Sequence, residues 1–204
     1  MCLSEAKRRL REELQARRRA VPATVRRSAG DAVARRLLAA PEFVRAARVA
    51  AYVALPDELP TDTLLRTLLD SNRTLLLPRW TGRDHLVFGA VRDLAALHRG
   101  RFGAWEPPAG TPGVDLGPED LVLVPGVAFD RQGGRLGRGR GCYDRSLVGS
   151  AGSPLLIGLA FAFQIVEAVP VAPHDRRMDV VVTEREFVRI ARSRGRREPG
   201  ADPG

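Results

Sequence analysis

The chain is 204 residues long, 44% apolar and 28% charged, with a formal net charge of +9 at pH 7. That is enough for one domain with its own core, and it excludes a helical membrane protein, since no apolar run approaches the roughly 18–20 residues a bilayer needs. Two cysteines, Cys2 and Cys142, and an N-terminus without the apolar stretch of a secretory signal exclude a disulfide framework and point to a reducing cytoplasm.

The basic excess invites a nucleic-acid reading, which its distribution weakens. Of 33 basic residues only Lys7 is lysine, arginine is spread along the whole chain, and aromatic residues make up 5% of it, too few for base-stacking platforms. Four arginines fall in residues 191–204, which read as a disordered basic tail behind a domain of residues 1–190.

Residues 4–19 are expected to form a helix with Ser4 as its N-cap and with Leu3, Leu10 and Leu14 near one face. Lys7 and Arg11, four apart, share a face and can grip one anion together. The plain alternative is a solvated basic face, against which stands the survival of one lysine in a chain that elsewhere uses arginine. A second helix fits about residues 24–40, closed by Pro41, with Val33, Leu37 and Leu38 inward. Residues 48–55 read as the first core strand, running into the loop Pro56-Asp57-Glu58-Leu59-Pro60-Thr61. Thr61 then caps a helix to about Asp70, and residues 73–78 form the next buried strand, followed by Arg79 and Trp80. This alternation predicts a parallel sheet with right-handed crossovers. Residues 85–91 suit an edge strand, and residues 99–119, with Trp105-Glu106-Pro107-Pro108, a loop long enough to be functional.

Residues 120–125 have the pattern of a buried parallel strand. Beyond them lies Gly133-Gly134-Arg135-Leu136-Gly137-Arg138-Gly139-Arg140-Gly141-Cys142-Tyr143-Asp144, five glycines in nine positions interleaved with arginine. Successive main-chain N–H groups in such a loop form an anion-binding concavity, and guanidinium forks match phosphate or carboxylate. A flexible solvated turn is the bland alternative, and neither the Walker A nor the dinucleotide-binding spacing is present. After it, Tyr143 begins a short helix, residues 154–161 read as a central strand, residues 163–169 as a turn or short helix, and residues 180–183 as the final strand.

The histidines, His85, His98 and His174, are scattered without zinc spacing. His174 beside Asp175 is an outlying site candidate, and Cys142 reads as a neutral packing thiol despite nearby arginines. Carboxylates stand at strand ends: Glu58, Asp130, Asp144, Asp175 and Asp179. Beside a phosphate-cradling loop they suit Mg²⁺, with phosphate oxygens and waters completing its octahedron. The residues alone therefore describe an α/β enzyme that binds a phosphorylated ligand with Mg²⁺.

An ordered set of motifs takes the reading further. Lys7-Arg-Arg-Leu-Arg11, Tyr52 to Leu55 with Asp57-Glu58 and Thr61, Leu77-Pro78-Arg79, Trp105-Glu106-Pro107, Val124 to Asp130 with the glycine-rich string, Gly158 to Phe161 with Gln164, Val169-Pro170, His174-Asp175, Met178-Asp179 and Thr183-Glu184 resemble, in order over residues 4–186, the 5-formyltetrahydrofolate cyclo-ligase family. The resemblance implies a single Rossmann-like, three-layer α/β domain with a mostly parallel sheet, and a monomer is expected. It also implies conversion of 5-formyltetrahydrofolate, with ATP and Mg²⁺, to 5,10-methenyltetrahydrofolate, ADP and phosphate. By the same resemblance, ATP would be met by Lys7, Arg8, Arg9, Leu10 and Arg11, and by Arg135, Leu136, Gly137, Arg138, Gly139, Arg140, Gly141, Cys142 and Tyr143. Of these, Lys7, Arg138 and Tyr143 would be catalytic. Val53, Glu58 and Trp105 would meet the folate, together with residues 138–142, with Glu58 hydrogen-bonding the pterin N–H groups, and Asp144 and Asp179 would hold Mg²⁺. One departure is Cys142, where the family commonly has a second tyrosine; Arg138 and Arg140 also differ from the Tyr and Gly of many bacterial members. The alternatives are a non-catalytic relative that binds nucleic acid through its basic surface, and a sugar-phosphate isomerase on a related fold.

Overall fold

The computed structural model describes residues 2–82, 84–147, 153–172 and 175–191. Helices α1 (Leu3–Ala20), α2 (Ala23–Leu38) and α3 (Pro41–Arg45) precede β1 (Arg48–Ala50), α4 (Asp62–Leu69), β2 (Thr74–Trp80) and β3 (Leu86–Val91). Three two-residue strands follow, β4 (His98–Arg99), β5 (Trp105–Glu106) and β6 (Gly113–Val114), and then β7 (Leu121–Pro125), β8 (Ala128–Asp130) and β9 (Arg135–Leu136). The remainder is α5 (Cys142–Ser146), β10 (Leu155–Leu159), β11 (Ile165–Val166), β12 (Val180–Val182) and β13 (Phe187–Arg189).

The main sheet runs β13-β12-β10-β7-β1-β2-β3-β6. Its five central strands, β12 to β2, are parallel, and the antiparallel pairings lie at the two margins. Side chains alternate between the faces of a strand, so the central strands feed two cores. Val49, Leu75, Leu121, Leu123, Ile157 and Val182 pack with Val33 and Leu37 of α2 and Leu64, Leu65 and Leu68 of α4. Ala50, Leu76, Val122, Val124, Leu156 and Val181 pack on the opposite face with Phe88, Phe129, Leu147 and Met178. Phe129 is fully buried, and a Cβ on either Gly126 or Gly158 would overlap its ring. From β1 the chain continues to β2 on one side, whereas from β7 it continues to β10 and β12 on the other. The switch between β1 and β7 opens a crevice at the carboxyl ends of the strands.

Several local expectations are corrected. Ser4 is not the N-cap: α1 begins a residue earlier, behind Cys2, with no side-chain cap. Pro41 does not close α2 but opens α3 at its first turn, where its missing N–H costs nothing. Strand β1 stops at Ala50 because Thr61 takes over the backbone beyond it, its hydroxyl donating to Tyr52 O at 2.8 Å and accepting from Ala54 N at 3.2 Å. Strand β3 is not the edge, since β6 pairs outside it. Strand β12 is not the last, because Thr183 turns the chain by accepting from Arg185 N and Glu186 N at 3.2 and 3.0 Å and β13 returns alongside.

Candidate functional site

The crevice holds a cavity of about 450 Å³ whose floor and walls come from the loop after β1, the end of β2, the β4–β5 hairpin and the glycine-rich loop. Tyr52, Val53 and Glu58 form one wall, Trp80, Phe102 and Trp105 a second, and Arg138, Cys142, Tyr143 and Asp144 a third. Trp80 and Phe102 meet edge to face at 5.6 Å between centroids, as do Phe88 and Tyr143 at 6.4 Å. Burial, with Glu58 adding its charge, pushes the phenols of Tyr52 and Tyr143 up, so both are neutral O–H groups at physiological pH.

Asp130 fixes the base of the glycine-rich loop. Its buried carboxylate accepts from Gln132 N, Gly134 N and Val169 N at 2.9, 2.7 and 2.8 Å, a satisfied structural anchor and not a free ligand. Gly141, at φ 65°, is the left-handed residue that turns the loop into α5. Between these points the arginines have distinct partners. Arg135 is 7% exposed, and its Nη2 reaches both oxygens of Asp144 at 2.8 Å. Arg138 donates through Nε to Glu58 Oε1 at 3.1 Å and through Nη2 to Asp57 Oδ1 at 2.7 Å. Asp57 also receives the guanidinium of Arg18, which is 1% exposed. Burial pushes the Asp57 carboxyl up, but Arg18 and Arg138 outweigh it and hold it below its ordinary value. Arg140 lies over the Phe102 ring at 4.0 Å.

Outside the cavity, α1 supplies a cationic edge. Lys7 Nζ donates to Asp175 Oδ2 at 2.8 Å, with both side chains largely covered. Arg11 Nε donates to Gly137 O at 2.9 Å, and its guanidinium lies beside Gly139. Lys7 and Arg11, four apart on α1, thus reach two different loops, those of Asp175 and Gly137. Arg8 and Arg9 instead point outward, pairing with Glu12 and Glu5 at 3.0 Å, and Leu10 packs against the core with Leu14 and Leu136.

The structure gathers Val53, Glu58, Trp105, Arg135, Gly137, Arg138, Arg140, Gly141, Cys142, Tyr143 and Asp144 around one cavity. Asp179 is not in its walls and spends Oδ2 on Leu156 N at 2.9 Å. Among the described residues no group of three or more His, Cys, Asp and Glu could hold a metal ion. Mg²⁺ bound largely through phosphate oxygens and water needs no such group, and Asp144, in the cavity wall, fits as one protein ligand. His174 lies outside the described residues. Burial and Asp84 raise the Cys142 thiol against the pull of Arg145 and Arg140, in keeping with a neutral thiol.

Sequence reasoning placed Tyr52 in the folate-binding stretch but missed Gln15, Arg18, Trp80, Phe102 and Glu106 as parts of the site. Arg18 is one of three successive arginines, and only helix phase against β8 selects it. Glu106, in the Trp105-Glu106-Pro107 motif, and Trp80, at a strand end, carried a signal, but their neighbours are set by tertiary packing.

The model of the 5-formyltetrahydrofolate cyclo-ligase family matches residues 3–184. The chain is 35% identical over 191 residues to 5-formyltetrahydrofolate cyclo-ligase of Mycolicibacterium smegmatis, covering 90% of this chain and 96% of that one. It is 28% identical over 193 residues to the Mus musculus enzyme of the same name, covering 89% and 95%. A solved structure of 5,10-methenyltetrahydrofolate synthetase from Aquifex aeolicus superimposes with a TM-score of 0.79 at 34% identity, covering 94% of this chain and 96% of that one. No helix of the described residues is long and apolar enough to cross a membrane.

Proposed function

The chain belongs to the 5-formyltetrahydrofolate cyclo-ligase family, and from that premise we propose that it closes 5-formyltetrahydrofolate to 5,10-methenyltetrahydrofolate at the expense of ATP, with Mg²⁺. The observation that carries the reading is the position of the glycine-rich loop between an apolar cavity and the cations of α1. A flat, ring-bearing substrate suits the cavity. A polyphosphate suits main-chain amides flanked by Lys7 and Arg11.

The chemistry explains why both are needed in one site. A formyl oxygen cannot leave as oxide. Its attack on the γ-phosphorus of ATP expels ADP and leaves an iminium phosphate at N5. The lone pair of N10 then adds to the same carbon, N10 gives up its proton, and the formyl oxygen departs within inorganic phosphate. Such transfer is a matter of alignment and charge neutralisation, for which no covalent nucleophile is required. Lys7 and Arg11 would hold phosphate oxygens, and Arg138 would follow the oxygen between formyl carbon and phosphorus. Tyr143, a neutral phenol, would orient the folate, with Val53, Glu58 and Trp105 as further contacts. Asp144 would hold Mg²⁺ in place of its present partner Arg135, and the ion would supply charge neutralisation at the phosphates. Asp179, outside the cavity walls, would be the second carboxylate for the ion.

The test is turnover. Purified protein with 5-formyltetrahydrofolate, ATP and Mg²⁺ is expected to form the methenyl product, followed by its near-ultraviolet absorbance, with one ADP released per product. Binding of both substrates without product would overturn the reading.

A further inference from the structure

Arg138 takes both of its carboxylate partners from the loop after β1. Its Nε donates to Glu58 Oε1 at 3.1 Å and its Nη2 to Asp57 Oδ1 at 2.7 Å. The two partners are placed differently. Glu58 is buried in the cavity wall and, on the proposed function, gives up Arg138 to meet the folate. Asp57 lies outside the cavity walls and keeps a second arginine, since its Oδ2 accepts from Nη2 of the fully buried Arg18. Arg18 is itself fixed, donating through Nη1 to Gly126 O at 3.2 Å, just beyond the end of β7. The turn that carries Asp57 is closed by Glu58 N, which donates to Leu55 O at 2.8 Å. One oxygen of Asp57 is thus anchored to the interior, while the other holds Arg138, whose own side chain is 42% exposed.

We propose that Asp57 is a positioning residue, a fixed pivot that keeps the guanidinium of Arg138 at the cavity wall when its Nε leaves Glu58 for the reacting oxygen. This rests on the proposed function, in which Arg138 serves the oxygen between formyl carbon and phosphorus. A guanidinium is a rigid planar fork, so a hydrogen bond at Nη2 lets it turn about that end and carry Nε from one acceptor to another. Once Glu58 has turned to the folate, Asp57 is the carboxylate that still holds Arg138. Without it, an arginine this exposed would spread over solvent-facing rotamers, and the cost of aligning it again would fall on the chemical step.

The experiment is a double-mutant cycle on the rate of methenyl formation, read by single turnover with enzyme in excess so that slow variants remain measurable. Asp57→Asn keeps the size and one acceptor but removes the charge. It is expected to slow the reaction at least about tenfold, the scale of a hydrogen bond between charged groups. The steady-state KM values for ATP and folate should stay within about threefold of the wild type, as expected of a residue that touches neither. In an Arg138→Ala background the same substitution is expected to change the rate less than about twofold, because the group it positions is gone. Asp57→Glu keeps a charge for Arg18 but shifts the carboxylate by one methylene. It is expected to show the same dependence on Arg138, and it decides the matter if Asp57→Asn does not fold. An equal fall in both backgrounds would mean that Asp57 only secures Arg18 and the loop. An unchanged or faster rate in both Asp57 variants would mean that it does not position Arg138. Either result would overturn the role of Asp57 while wild-type turnover kept the ligase reading intact. A wild type without turnover would overturn both.

Discussion

The glycine-rich loop separates two regions built on opposite principles. On one side is the cavity, closed by rings and aliphatic chains, with its shape set by packing before any ligand arrives. On the other is the edge formed by Lys7, Arg11 and the loop carbonyl of Gly137, where Lys7 is held by Asp175. On the proposed function the cavity would fix the folate by shape. The edge would exchange internal partners for phosphate oxygens, so its residues are read through charge and reach. The two regions meet at Arg138 and Asp144, which lie in the cavity wall but are held by ion pairs.

That meeting point should be the most sensitive. Asp144→Asn keeps size and removes the charge that now holds Arg135 and, on the proposed function, would hold Mg²⁺, and a fall in kcat of at least about a hundredfold, roughly 2.7 kcal/mol, is expected. Steady-state kinetics across a Mg²⁺ titration checks it, and an unchanged rate and Mg²⁺ dependence would remove Asp144 from the metal. On the charged edge, Lys7→Arg is expected to raise the ATP KM or lower kcat about tenfold, because a planar guanidinium does not replace a compact ammonium between Asp175 and a phosphate. The folate KM should stay put. If it moves equally, the two regions are not separable.

The joint between them can be broken for stability as well as rate. Asp57→Asn leaves the buried Arg18 without its charge partner, and a melting midpoint about 5 °C lower at pH 7 is expected. Because the arginines hold the folded-state Asp57 carboxyl below its ordinary value, its contribution is complete above that unfolded-state value and is lost as pH falls through the folded one. The difference between wild type and variant should therefore shrink toward zero as pH falls through and below that folded-state value, as thermal melts at several pH values would show. The smallest effect concerns the thiols. Hydrogen bonding from Ser4 and Glu5 lowers Cys2, whereas burial raises Cys142, so alkylation at pH 7 followed by mass spectrometry should label Cys2 several times faster. Since Cys142 lines the cavity, 5-formyltetrahydrofolate should slow its labelling more than ATP does.

The same contrast explains what was legible in the sequence. The runs 121–125 and 155–159 announce buried parallel strands because both faces of the sheet are covered, which forces apolar residues at every position. The loop of residues 133–141 announces itself through glycine, and Lys7 with Arg11 through helical spacing. The cavity was less legible. Its walls come from chain segments far apart in sequence, so nothing local marks Trp80 against Phe102 or Glu106 against Trp80 N. Nor does composition say which of Arg17, Arg18 and Arg19 enters the interior. The missed strand β13 is different, since Thr183 followed by Arg185 and Glu186 is a turn signal that could have been read.

The central claim is that the two regions act on one oxygen atom, taken from the formyl group in the cavity and delivered to phosphate at the edge. Turnover of 5-formyltetrahydrofolate labelled with ¹⁸O in the formyl group tests it directly. Mass spectrometry of the released inorganic phosphate should find one ¹⁸O per phosphate, matched to one ADP and one methenyl product. Unlabelled phosphate, with the ¹⁸O in water or methenyl product formed without ATP, would contradict the account.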